Sequence, residues 1–174
     1  MADHRWSTTP TPVGEVTLVG SDDGLCGLYM EDHRHRPPLP AGAVRDDAAL
    51  ADAVAELRAY FAGELRDFTV PVAVSAGTPF QHRVWEALRT VPYGTTTTYE
   101  ELALRLGVPG GARAVGLANG RNPVSIVVPC HRVVGAAGAL TGYGGGLERK
   151  RFLLGLEGVR APGDDALRLD LAGV

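Results

Sequence analysis

Two short, mostly apolar runs of β-like character stand near the start of the chain, Val16-Thr17-Leu18-Val19 and Gly24-Leu25-Cys26-Gly27-Leu28-Tyr29-Met30. Ser21-Asp22-Asp23-Gly24 is turn chemistry, so the pair predicts an antiparallel hairpin. Residues 31–45, with Arg34, Arg36, Pro37, Pro38 and Pro40, read as a polar loop. The period then lengthens. Leu50, Val54, Leu57 and Phe61 recur at helical spacing and predict an amphipathic helix from Asp47 to Ala62, stopped by Gly63. Phe68 to Val74 returns to a strand pattern, which Pro71 confines to an edge. These elements predict a small α+β first domain over residues 1–77.

From residue 78 the pattern is mostly helical. Thr78, Pro79 and Gln81 form a capping box with proline at the first helical position, and Phe80, Val84, Trp85 and Leu88 give that helix an apolar face. Pro92-Tyr93-Gly94 ends it. Thr98 and Glu101 form a second capping box, opening a helix through Leu102 and Leu106 that Gly107 stops. After the turn Val108-Pro109-Gly110-Gly111, Ala112 to Asn119 predicts another short helix, ended by Gly120. The pair has the outline of a helix-turn-helix, although many packed core helices share it. Val124 to Val128 reads as a buried extended segment leading into Pro129-Cys130-His131-Arg132. A glycine-rich loop, Gly135 to Gly146, precedes a last helix, Leu147 to Leu156, with Glu157 at its end. The fold class is therefore α+β: antiparallel strands and a helix first, then a helical domain over 78–160, with 161–174 as a tail.

With 174 residues, 45% of them hydrophobic, the chain can bury a core and is neither disordered nor collagen-like. No run approaches the ~18 apolar residues needed to cross a bilayer, and the N-terminal residues are polar rather than signal-like. Two cysteines make no disulfide framework, and a reducing cytoplasm is expected. Charge is divided unevenly. Residues 1–75 hold six arginines against twelve acidic residues, whereas 78–160 hold nine arginines and Lys150 against five glutamates. A basic second half fits a polyanionic partner as well as chance segregation.

Candidate chemistry centres on Cys130. Free cysteines are usually buried and inert, which is the reading for Cys26. Cys130 instead adjoins His131, an imidazole able to take the thiol proton. In an extended segment neighbouring side chains face opposite ways, which favours a link through water. A third group should orient His131, and Glu157 is the candidate. Ala112, Ala114 and Gly116 are small, with Arg113 and Arg121 at the helix ends. That composition suits close approach either to nucleic acid or to a protein neighbour.

Pro129-Cys130-His131-Arg132-Val133 closely resembles the active-site motif of the O6-alkylguanine-DNA alkyltransferases. The resemblance extends in order through Phe80-Gln81, Val84-Trp85, Pro92-Tyr93-Gly94, Thr98-Tyr99, Leu102-Ala103, Ala112 to Gly116, Asn122-Pro123, Tyr143, Gly145-Gly146 and Leu156-Glu157, covering roughly residues 78–160. It implies irreversible repair, one event per molecule and with no cofactor: the alkylated guanine is flipped from duplex DNA and its alkyl group passes to Cys130. O4-alkylthymine is left open as a second substrate. By the same resemblance, His131 deprotonates Cys130 through water and Glu157 polarises His131. Asn122 braces the turn below the recognition helix, Tyr99 rotates the nucleotide and protonates the purine, and Arg113 fills the base stack. Carbonyls of Cys130 and Val133 line the pocket with Tyr143 and Gly144. A monomer is implied, with cooperative association on DNA open.

Gly144 stands where some members carry a serine, which leaves a backbone N–H for that contact and a loop open to bulkier alkyl groups. Some relatives bind zinc in the first domain; Cys26, His33 and His35 lack a zinc spacing, and no metal is expected. A non-reacting reader of alkyl damage would lack a cysteine at position 130. A cysteine hydrolase would leave the helix-turn-helix outline unexplained.

Overall fold

The computed structural model describes residues 3–162, so most of the predicted tail over 161–174 lies outside the described residues. The hairpin forms as β2 (Gly14–Ser21) and β3 (Gly24–Met30), antiparallel and in register apart from a shift at Val19/Gly20. A preceding strand, β1 (Arg5–Thr11), was not expected from the sequence; it pairs antiparallel with β2 from Arg5↔Gly20 to Thr11↔Gly14. Within residues 31–45 the loop holds one short strand, β4 (Val44–Arg45), parallel to β1. Sheet order is β3-β2-β1-β4.

Helix α1 (Ala51–Phe61) begins four residues later than its pattern predicts and buries Ala53, Leu57 and Tyr60. The strand expected over 68–74 reduces to one parallel bridge, Val72 to Leu25, on the outer edge of β3. Leu25 N–H donates to Pro71 O at 2.8 Å and Ala73 N–H to Leu25 O at 2.9 Å. Proline has no N–H to extend that ladder, which is why the edge placement holds and the strand does not.

Both capping boxes form as predicted. Thr78 caps α2 (Pro79–Leu88) and Thr98 caps α3 (Tyr99–Arg105), each with its side chain and the returning Gln81 or Glu101 side chain bonded. Helix α4 (Ala112–Gly120) packs on α2 and α3, and Trp85 Nε1–H donates to Ala118 O at 2.9 Å. Two short strands, β5 (Thr97–Thr98) and β6 (Val133–Val134), pair in parallel, and α5 (Leu147–Leu156) closes the domain. Leu28 of β3 bridges Val124, its N–H reaching Pro123 O at 2.8 Å. The sheet of the first domain thus abuts the segment that carries the cysteine. No described helix is long and apolar enough to cross a membrane.

Candidate active site and nucleic-acid interface

Val124 to Val128 is buried, as its apolar run requires, but it turns instead of running extended. Both ends of the Asn122 amide hold that turn: Nδ2 donates to Val128 O at 2.8 Å and Oδ1 accepts Val124 N–H at 3.0 Å. Ile126 at its tip has φ +73°. A β-branched residue is strained there, a cost of about 1–3 kcal/mol that the surrounding hydrogen bonds must hold in place. Cys130 N–H then donates to Val128 O at 2.8 Å, and Cys130–Arg132 forms one 3₁₀ turn. The segment is not extended at Cys130, so the alternation that would set Cys130 and His131 on opposite faces does not apply.

His131 is 0% exposed and its Nε2 hydrogen-bonds Glu157 Oε1 at 2.8 Å. Glu157, capping α5, also receives Arg132: Nε donates to Oε2 and Nη2 to Oε1, both at 2.9 Å. Tyr60 donates its hydroxyl to the same Oε1 at 2.8 Å. Burial alone would raise the Glu157 pKa, but the His131 and Arg132 hydrogen bonds outweigh it and bring it down to about 2. The acceptor Glu157 fixes the proton of His131 on Nε2, leaving Nδ1 as an acceptor with no hydrogen-bond partner among the described residues. Burial pulls the His131 pKa down, and Glu157 only partly restores it.

Cys130 is 3% exposed, and burial pushes its thiol pKa up against the opposing pulls of Asn122, Lys150 and Ser125. At neutral pH it is therefore a thiol that needs a base. Asn119 Nδ2 donates to Cys130 O at 3.3 Å. Val133 O accepts Lys150 Nζ at 2.6 Å. Of the two carbonyls expected to line the pocket, Val133 O thus holds the Lys150 donor, whereas Cys130 O holds two, Asn119 Nδ2 and the Val133 N–H.

The glycine-rich loop is gripped from two sides. Tyr99 donates its hydroxyl to Thr141 O at 3.0 Å, and Lys150 donates to the same oxygen at 2.8 Å. Lys150 is 0% exposed; burial lowers its pKa to about 8, with Cys130 acting the other way. From the first domain, Arg34 N–H donates to Gly144 O at 2.7 Å. A Cβ on Gly144 would stand 2.5 Å from His33 Nε2, so the two domains approach closely here and a side chain would force the buried His33 ring to shift. Tyr143 is buried, and its hydroxyl has no hydrogen-bond partner among the described residues.

On α4, Arg113 and Ala114 are exposed, Ala112 and Gly116 half-buried, and Arg121 follows exposed at the C-cap. A Cβ on Gly116 would lie 3.6 Å from the Tyr99 ring, so α4 rests directly over that tyrosine. Sequence reasoning missed Tyr60, Lys150, Asn119 and Ser125, and gave Arg132 no role. The usable signal was that Lys150 is the lone lysine of the chain.

An imidazole anchored by a carboxylate through one nitrogen, with its other nitrogen without a hydrogen-bond partner among the described residues and next in sequence to a buried thiol, is the arrangement that a protein of the nucleophilic-cysteine class needs. Two family models match the chain: the DNA-binding domain of 6-O-methylguanine DNA methyltransferase over residues 79–159, and its ribonuclease-like domain over 4–74. The methylated-DNA–protein-cysteine methyltransferase of Mycobacterium tuberculosis H37Rv is 52% identical over 160 residues, 92% of this chain and 96% of that protein. Its counterpart in Methanosarcina acetivorans is 48% identical over 148 residues, covering 85% and 94%. The crystal structure of M. tuberculosis OGT in complex with DNA matches with a TM-score of 0.85, at 52% identity over 92% of this chain and 96% of that one. The chain belongs to the 6-O-methylguanine DNA methyltransferase family.

Proposed function

We propose that this chain carries out direct-reversal DNA repair with Cys130 as the accepting cysteine, taking the alkyl group of an O6-alkylguanine in a single irreversible transfer. The observation that carries the reading is the 2.8 Å His131–Glu157 pair, which leaves Nδ1 without a hydrogen-bond partner among the described residues, as a base next in sequence to a thiol that burial keeps protonated. In the transfer the S–C bond forms as the C–O6 bond breaks. The thiol proton passes to His131 through water. Tyr99, releasing Thr141 O, gives a proton to the purine ring, and the two sites then exchange protons with solvent. The S-alkyl thioether has no labile bond, so each molecule reacts once.

Helices α3 and α4 act as a helix-turn-helix on duplex DNA, with Arg121 on phosphate and Ala112, Ala114 and Gly116 allowing close approach. Arg113 occupies the space left by the flipped guanine. The protein acts as a monomer, and Tyr143, Gly144 and the carbonyls of Cys130 and Val133 surround the base. Neither a hydrolase nor a non-reacting reader is favoured, since both halves of the chain match the methyltransferase domains.

The test mixes the protein with a duplex bearing one O6-methylguanine and reads the intact mass, with Cys130→Ser as control. One added methyl on the Cys130 peptide, restored guanine and a plateau at one event per protein are expected. Binding without a mass change overturns the reading.

A further inference from the structure

We infer that Tyr60, a residue of the first domain, is a positioning residue of the proton relay, setting how strongly Glu157 holds His131. The inference rests on the roles proposed above for Cys130 and His131. Tyr60 lies 97 residues from Glu157 along the chain, at the inner face of α1, and is 0% exposed. Its ring is held by Phe61 and Phe68 at 5.3 Å and by Tyr93 at 6.3 Å between centroids. The hydroxyl therefore has a fixed direction, and it points at Glu157 Oε1 from 2.8 Å. Burial, and then the charge of Glu157, push its pKa upward, so it remains a donor at every working pH.

One carboxylate oxygen thus serves three donors: Tyr60 Oη, His131 Nε2 and Arg132 Nη2. Each donor draws negative charge away from the other two. The charged and titratable groups that act on His131 are Glu157, Arg132 and Lys150; Tyr60 bonds Glu157, and Tyr143 lies within electrostatic reach of both Cys130 and Glu157. Arg132 already offsets much of the Glu157 charge, and the phenol removes more. The result is an imidazole held firmly in one tautomer yet kept a weak base. It stays neutral, able to take a proton, to a lower pH than an ordinary imidazole does. Without the phenol, Glu157 would favour the imidazolium more strongly, and the fraction of His131 ready to act would fall as the pH is lowered.

The experiment compares the protein and Tyr60→Phe in their rate of alkylation at Cys130 by free O6-benzylguanine across pH. Nitrogen-15 NMR follows the His131 ring in the same samples. In the variant, the acid limb of the rate profile and the His131 midpoint both move up, by about half a pH unit. Site-specific 3-fluorotyrosine in place of Tyr60 keeps the shape and strengthens the donor, and it moves both midpoints down. Coincident profiles overturn the inference, as does an equal loss at every pH accompanied by a lower melting temperature. If the unmodified protein reacts at Cys130 neither with O6-benzylguanine nor with the O6-methylguanine duplex, the alkyl-transfer reading falls. The NMR midpoints still decide the Tyr60–Glu157–His131 coupling.

Discussion

Glu157, on one side of His131, accepts four hydrogen bonds from the described residues: two from Arg132 and one each from Tyr60 and His131 itself. Toward the cysteine, four buried side-chain atoms have no partner among the described residues: Asn119 Oδ1, Ser125 Oγ, His131 Nδ1 and Tyr143 Oη. Buried polar atoms are nearly always satisfied, and an exception calls for a reason. All four belong to residues tied to Cys130, by a hydrogen bond to its carbonyl, by adjacency or through its electrostatics. The carboxylate side is saturated and rigid, whereas the thiol side holds donors and acceptors in reserve. A base has to be aimed before substrate arrives, and a pocket that receives a base and an alkyl group has to have unsatisfied groups to offer.

The largest effect should come from Arg132→Met. Removing the cation leaves a buried carboxylate with only neutral donors, and denaturant melts should show a loss of about 3–5 kcal/mol. Unchanged stability would mean the saturated side carries no structural weight. Glu157→Gln should slow single-turnover alkylation by about 100-fold, because the amide can no longer fix and support the imidazole. The same variant tests acid stability. The folded Glu157 pKa, about 2, lies below the ordinary 4.5, so its stabilisation is full above pH 4.5 and drains away as pH falls toward 2. Melts of Glu157→Gln should accordingly be flatter across that window than those of the unmodified protein.

Lys150→Met should slow alkylation about tenfold, the equivalent of one lost charge-assisted hydrogen bond, and lower hydrogen-exchange protection in residues 141–146. Protection that stays intact would assign the loop to Tyr99 and Arg34 alone. Ser125→Ala is the smallest change. It removes a buried hydroxyl whose one interaction among the described residues is its pull on the Cys130 thiol, so melting should show a gain of up to about 1 kcal/mol. The reaction at neutral pH should slow by about two- to threefold, because the thiol loses one group that pulls its pKa down. A stability loss there would mean that the hydroxyl is satisfied after all.

Much of the second domain was legible because its signals are local. Thr78 and Thr98 sit three residues before Gln81 and Glu101, and Cys130, His131 and Arg132 are adjacent. The missed strand β1 shows where such reading stops. Its inward positions are Ser7 and Thr9, at 2% and 1% exposure, which bond Asp47 and Arg58 instead of packing as apolar side chains. A polar inner face gives no hydrophobic alternation to detect. The buried run 124–128 misled in the opposite way, since continuous apolar character reports burial and is silent about a turn at Ile126. Tyr60 was hidden by distance: as the residue three after Leu57 it reads as core, and its bond to Glu157 exists only once the two domains meet. Lys150 was hidden by type, because a lysine between two arginines on a helix reads as surface.

That single lysine also makes the protein its own probe. Amine acylation needs a free base that reagent can reach, and Lys150 Nζ is fully buried while its pKa of about 8 keeps much of it unprotonated in mild alkali. Its three carbonyl partners belong to Val133, Thr141 and Gly142. The nitrogen is therefore uncovered only when the glycine-rich loop lifts. The acylation rate of the Lys150 side chain, read by mass on one peptide, counts those openings without any engineered label.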